Sequence, residues 1–575
     1  MCALAAGPAI AAPGDLDPSF GGTGLVAQQL GDNTGEGDFA FGVAAQPDGK
    51  TVVVGVASKT GLVAGGMVRY LVDGTPDPSF GSGGKVVDPA FVPQAVAIQP
   101  DGKIVAVGAA LSGANSTYAF VRYLPNGSLD PSFGAGTGKV SVLVNPTDNQ
   151  QRAQAIAIQA DGKIVAAGRT NDGAGIVRLN SDGTPDPSFD GDGSRDFPIA
   201  TTVSGATDVA LQSDGSVVAA VPTGSGLGDG FTLIRVDSHG APDTSFGPGG
   251  VLHVQSAVGD GAESRAVKIQ PDGKIVAGGT AEVGGHEDQF AVARFNPNGT
   301  PDTSFSGGGL DLTPVAPAGQ NASGNALVIQ PNGKILVAGD ADLDSNRRTL
   351  AYVRYNPSDG TLDPSFGSGG VDLSPFPAGW GRESLDDAAL ACDGKIVSAG
   401  EATVTPTAHG SFLTSRIFGD PIACPGLNPP PPGAVADRTK PHSKIHRLPR
   451  VIRSSKLKKF FGTAFDNAGI AKVEIALLRR VGKTAAFSRH KAKASCLWLR
   501  SGRAKFKRLK PSRGKCAKAT FLRAKGTSSW VFKLRKRLPP GKYVLYARAT
   551  DTSGNAETSF TAKQGNRMAF RVRKG

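Results

Sequence analysis

The sequence lacks any run of about 20 apolar residues, the length a membrane-spanning helix requires. Aromatic residues are scarce, at 6%, whereas glycine is abundant, with 79 in 575 residues. That balance disfavours a helical protein and fits an all-β chain with many tight turns. No GxSxG, HExxH, P-loop or dinucleotide-binding phrase stands in a suitable context, so the common hydrolase, metalloprotease and nucleotide-binding signatures are missing. The seven histidines are scattered, and five of them (His286, His409, His442, His446 and His490) fall outside the strands read below. The five cysteines form no CxxC pair, which argues against a zinc site of the usual spacing.

What the sequence has is repetition. Asp-x-Ser-Phe occurs seven times, beginning at Asp17, Asp77, Asp130, Asp186, Asp243, Asp302 and Asp363. A second phrase, usually Asp-Gly-Lys, also occurs seven times. Its glycines are Gly49, Gly102, Gly162, Gly215, Gly273, Gly333 and Gly394, spaced 53, 60, 53, 58, 60 and 61 residues apart. A fixed period of this length marks a repeat architecture.

One unit shows the pattern. Gly84 to Val87 reads as a short strand, and Ala95 to Gln99 alternates as a strand with one buried face. Pro100-Asp101-Gly102 is a turn, because glycine accepts positive φ and aspartate tolerates the geometry. Lys103 to Gly108 returns as the partner strand, and Leu111 to Thr117 reads as a variable loop. Ala119 to Tyr123 is a fourth strand before the next Asp-x-Ser-Phe. Four short strands repeated seven times predict a seven-bladed β-propeller, with a linear solenoid as the competing arrangement. The ends favour the ring: the last unit stops without an eighth Asp-x-Ser-Phe, and the first begins with the piece it lacks. An N-terminal strand closing the last blade would hide the sheet edges.

The repeated text reads AxAIQPDGKIVAxG, then FxxxRYxxxGxxDxSFG, over residues 14–421. It resembles the bacterial delta-60 repeat family. The resemblance implies an extracytoplasmic or surface-associated propeller-like array and implies no activity. Departures are local: Ser216 replaces the turn lysine, Asn332 its aspartate, and Ala391-Cys392 the usual Gln-Pro.

Residues 422–438 are a Pro-rich spacer. Residues 439–575 alternate again, as in Ala471 to Leu477, Trp530 to Leu534 and Lys542 to Ala549. Gly462 to Asp466, Asp551 to Ala556 and Leu538-Pro539-Pro540-Gly541 resemble pieces of bacterial Ig-like domains, so a small β-sandwich is expected. From Asp437 onward, 38 Lys and Arg stand against 5 Asp and Glu, a net +33, whereas the preceding part carries −20. Such a field attracts polyanions, and cell-envelope or membrane polymers are favoured over nucleic acid because export is expected.

Export rests on two features. Residues 1–13 are short and apolar, with Ala9-Ile10-Ala11 similar to a cleavage site, and read as a signal-peptide remnant. Cys392 with Cys424, and Cys496 with Cys516, are expected disulfide pairs, with unpaired thiols as the alternative.

Seven arginines, one per repeat, match the seven aspartates: Arg69, Arg122, Arg178, Arg235, Arg294, Arg354 and Arg416. Equal counts predict structural Arg–Asp pairs. Two acidic segments are candidate Ca²⁺ loops: Asp190, Asp192 and Asp196, and Asp340, Asp342 and Asp344. Solvated Asp-rich turns are the competing reading, and no other cofactor is expected. The function expected is a secreted or cell-surface binding scaffold for a protein or glycan ligand. The alternative is a propeller hydrolase or lyase with an axial site. Non-repeated charged residues along the axis would favour the second.

Overall fold

The computed structural model divides into two compact units, residues 1–421 and 422–575. It describes residues 12–422, 442–446, 448–449 and 451–574, except 32–36, 60–61, 113–114, 200–204, 223–229, 256–260, 284–286, 345–346, 378–379, 405–409, 466–469, 482–494, 502–504, 510–520, 526–528, 552–556 and 558–565.

Seven four-stranded antiparallel sheets make up the described part of the first unit. The second sheet is typical. Phe91–Ile98, Ile104–Ser112, Asn115–Tyr123 and Lys139–Val142 pair in that order. The turn between its first two strands has Gly102 at φ +84°, as the Asp-Gly phrase requires. The described residues of segment 111–117 belong to the hairpin ladder, where Leu111 pairs with Ser116 and Ser112 with Asn115.

The sheets are offset from the repeat by one strand. Lys85–Asp88, expected to open the second unit, instead pairs with Leu62–Tyr70 as the outer strand of the first sheet. That offset leaves the last sheet one strand short at its own end of the chain. Leu25–Gln28 supplies it, pairing antiparallel with Gly410–Ile417.

Both faces of these sheets are covered. Seven separate apolar clusters lie between successive sheets. One of them joins Val397, Ala399 and Phe412 of the seventh sheet to Val53, Val68 and Tyr70 of the first. Burial on two faces explains why strands such as Ile104-Val105-Ala106-Val107 read as continuous apolar runs rather than alternating ones.

The second unit has two sheets sharing one apolar core. One holds His442–Ile445, Lys459–Phe465 and Ser529–Lys533. The other is built around Ile470–Val481, Gly541–Asp551 and Arg567–Arg573. Phe460, Trp530, Leu477, Leu545 and Phe570 meet between them. Buried Glu557 accepts the Ser443 and Ala549 amides, each at 2.8 Å, and so ties both sheets together. Cys424 and Cys516 lie outside the described residues, as do residues 423–438 of the spacer and residues 1–11. Among the described residues no helix is long and apolar enough to cross a membrane.

Candidate functional site

The seven Asp-x-Ser-Phe phrases form seven copies of one cluster, and the copy at Asp77 shows its parts. Asp77 Oδ1 accepts the Ser79 amide at 2.9 Å and the Ser79 hydroxyl at 2.7 Å, which sets the turn. Oδ2 accepts Arg69 Nε at 2.9 Å and lies 3.0 Å from Lys50 Nζ. The Arg69 guanidinium sits 4.5 Å above the Phe80 ring centre and donates to the Pro125 carbonyl of the next sheet. The predicted Arg–Asp pair exists in every repeat, including Arg416–Asp17, which are 399 residues apart. Burial pushes these carboxyls up, but the serine, lysine and arginine bonds outweigh it. Asp77, Asp130, Asp186, Asp302 and Asp363 are all held well below the usual carboxylate range. The turn lysines Lys50, Lys103, Lys163, Lys274, Lys334 and Lys395 each reach the aspartate, a role that repeat counting alone does not reveal.

The cluster also joins neighbours. Arg122, Arg178, Arg235 and Arg294 each donate to a carbonyl of the following sheet, and Arg354 donates to Asp420 at 3.0 Å. Arg416, of the last sheet, donates to the Val72 carbonyl of the first at 2.6 Å. These residues hold the sheets to one another. Of the seven arginines, Arg235 also borders a recess with Gln212, Gln270 and Pro297.

The candidate calcium ligands are placed differently from expectation. Arg195 occupies Asp190 at 3.1 Å, Asp192 accepts the Ser194 amide, and Asp196 accepts the Thr170 hydroxyl. Asp340, Asp342 and Asp344 lie on a strand, Ile335–Asp344, and not in a loop. Arg348 sits 3.0 Å from Asp340 and 2.8 Å from Asp342, and Arg347 is 2.6 Å from Asp344. Guanidinium groups thus stand beside Asp190, Asp340, Asp342 and Asp344. Among the described residues no group of three or more His, Cys, Asp or Glu is gathered to hold a metal ion.

A cavity of about 200 Å³ is lined by residues from the first strand of every one of the seven sheets, with Thr207 contributing from the position just before its strand. In six of those strands the register shifts by one residue at the same place, five positions before the turn. Such a bulge re-aims a side chain. The residues there are Phe41, Gln94, Gln154, Arg265, Asn325 and Asp386, and Thr207 is the equivalent in the fourth sheet. The next position is Gly42, Ala95, Ala155, Ala266 and Ala326 in five sheets. It is Asp208 and Asp387 in the other two. Beside the bulge five of the seven sheets carry a small residue, whereas the bulge itself repeats only glutamine.

Half of this belt is wired together. Thr207 Oγ1 donates to the Arg265 carbonyl at 2.8 Å, and Arg265 Nη1 donates to Asn325 Oδ1 at 2.9 Å. Asn325 Nδ2 donates to the Leu385 carbonyl at 2.7 Å. Asp208 accepts the Val267 amide at 2.9 Å and Lys268 Nζ at 2.5 Å. Asp387 accepts the Val43 amide at 2.8 Å, a bond from the first sheet to the last. Gln154 Oε1 is buried and has no hydrogen-bond partner. Burial raises the Asp386 carboxyl to about 7, helped by Asp340, Glu401 and Asp387. Burial likewise lifts Asp387 to about 6 against the Val43 amide bond, and Asp340 to about 6 against Arg348. Asp386 is open to the cavity but enclosed by protein on its other sides, so its charge is poorly solvated.

Residues 46–80, 99–133, 159–189, 270–305 and 330–366 match the model of a domain of unknown function (DUF5122) beta-propeller. Five of the seven repeats are thus similar to that propeller domain. The copies around Ser216 and Cys392, where the turn phrase departs, fall outside those matches. Solved structures with a similar path include domains 1-2 of Drosophila Semaphorin 1b, 12% identical over 70% of this chain and 87% of that one, with a TM-score of 0.35. Sqt1 from Chaetomium thermophilum is 13% identical over 68% and 97%, at 0.34. The polysaccharide lyase Uly1 is 12% identical over 66% and 89%, at 0.36. No curated protein matched the sequence.

Proposed function

We propose that this chain is an exported binding protein whose seven sheets close into a seven-bladed propeller around an axial ligand site. The observation that carries the reading is the bulge position. In a sevenfold repeat, positions that hold the fold recur, as the Arg–Asp–Lys–Phe clusters do. The bulge residues vary in every copy but one, and all of them meet in one cavity. Closure is supported by the Leu25–Gln28 pairing, the Arg416–Asp17 pair and the Val43–Asp387 bond.

The basic second unit, read as an Ig-like sandwich, contacts anionic polymers of the cell envelope, with its charge of +33 as support. The pairs Cys392–Cys424 and Cys496–Cys516 belong to the same reading of an oxidising location. Asp386 supports a second reading, a hydrolase or lyase. A carboxyl titrating near neutrality inside a polar cavity is suited to proton transfer.

The test is a thermal-shift screen of the full chain against small polar compounds, repeated on Arg265→Gln. Compounds that raise the wild-type midpoint and not the variant's support an axial site. Equal shifts in both place the binding elsewhere. For the second unit, sedimentation of the full chain with purified envelope should occur at low salt and vanish at high salt. No sedimentation at low salt refutes that part.

A further inference from the structure

We propose that the axial site takes a small organic ammonium compound bearing hydroxyl groups, seated between Asp386 of the seventh sheet and Phe41 of the first. The inference rests on the axial reading above.

The charges lining the cavity are not equivalent. Lys268 is answered by Asp208 at 2.5 Å, and Arg265 by Glu263 at 3.3 Å and by Asn325. Asp387 is held by the amides of Val43 and Ala388. Among the described residues, no cation stands beside Asp386. Its hydrogen bond comes from the Ser384 hydroxyl of its own strand, at 3.4 Å. The charged groups that act on it, Asp340, Glu401 and Asp387, are all acidic. Arg348 neutralises Asp340 from the far side. This corner of the cavity therefore gathers carboxyls that no described cation answers at Asp386, and a ligand with a positive charge would hold that group ionised.

The nature of the cation follows from what surrounds it. A metal ion wants six or more oxygens, and the described acids do not converge on one point. An ammonium group wants a carboxylate and tolerates an aromatic face. Phe41 is the bulge residue of the adjoining sheet, and the Val43–Asp387 bond fixes the two strands side by side. Further round the wall stand the amides of Gln94 and Gln154. Side-chain amides on the cavity wall suit a ligand that carries hydroxyl groups. At ~30 Å³ per water the 200 Å³ space holds about six or seven waters, the scale of a single monosaccharide. A carboxylate ligand finds both cations already paired.

Calorimetry on the full chain at pH 7, with glucosamine, glucose and glucuronate as probes, tests this. We expect heat from glucosamine alone. Asp386→Asn should weaken it at least tenfold and Phe41→Leu several-fold, with melting midpoints kept near wild type. Should Asp386→Asn not fold, Phe41→Leu carries the test. Glucosamine binding that neither variant weakens overturns the proposal. Glucose or glucuronate binding as tightly, and weakened by Gln154→Ala, overturns the ammonium assignment and leaves the axial site standing. No heat from any of the three overturns both.

Discussion

The Asp-x-Ser-Phe connectors and the cavity belt are two solutions to the same sevenfold geometry. Six of the seven connectors surround one carboxylate with two cations, a serine and a ring, and the fourth keeps the set with one cation. The belt also draws one residue from each sheet, yet repeats only glutamine. The two regions perturb their acids in opposite directions. Connector aspartates are held below the usual range by their partners, whereas Asp340, Asp386 and Asp387 are raised by burial. Repetition marks what joins the sheets, and its failure marks what they present to the cavity.

Removing a connector outright should have the largest effect. Deleting residues 12–28 takes Asp17, Ser19, Phe20 and the strand Leu25–Gln28. The seventh sheet then has three strands and a bare edge, and Arg416 has no carboxylate. We expect the thermal melt, followed by circular dichroism, to be broader than that of the full chain or absent, with aggregation through the open edge. A truncated protein that melts as sharply as the full chain contradicts this. Next in size is Arg354→Ala. Its side chain is 0% exposed and holds both Asp363 and Asp420. Breaking a buried pair by removing one partner costs roughly 3–5 kcal/mol, readable as a lowered denaturation midpoint. A loss under about 1 kcal/mol, the typical cost of an ordinary substitution, would show the cluster to be decorative.

The opposite shifts give a smaller, pH-dependent effect. A depressed carboxyl stabilises the fold above its unfolded value, near 3.9, and that contribution is lost as pH falls below it. A raised carboxyl does the reverse. Its folded state prefers the proton, so stability increases as pH falls through about 7 for Asp386 and about 6 for Asp387 and Asp340. The melting midpoint should rise from pH 8 to about 5 and fall below about 4. Asp386→Asn should flatten the neutral limb and leave the acid limb intact. A midpoint that climbs steadily from pH 5 to 8 inverts the assignment.

Much of this is legible in the residues. Period, turn glycines and missing edge strand together predict seven sheets, and matched counts predict the Arg–Asp pairs. The phase of the sheets is not legible, because a repeat fixes the spacing of strands and not where pairing stops. Only the ladder between Lys85–Asp88 and Leu62–Tyr70 assigns that strand. Asp340, Asp342 and Asp344 misled for a related reason. Alternate polar residues suit a cation loop, but alternation is also the signature of a strand face, and the partner strand brings arginines to it. The turn lysines look solvated until folding brings Lys50 to Asp77, 27 residues away. The bulge position carries a faint signal. Laid over one another, the seven inner strands agree around it and differ at it.

The fourth connector offers the finest test, because the chain has already altered it. Ser216 stands where the other sheets have the turn lysine, and Asp243 keeps only its arginine and serine. Its side chain is 23% exposed, against 8% or less for the other connector aspartates. Ser216→Lys should restore the third partner. Lysine ends in the other copies are about a quarter exposed, so the gain is that of a partly solvated pair, about 0–1 kcal/mol. The midpoint should rise slightly at low salt, and the rise should shrink at high salt. The same substitution made with Asp243→Asn should give no rise. A gain that survives that second change would come from the lysine stem packing on the connector, and the carboxylate would not be the centre of the cluster.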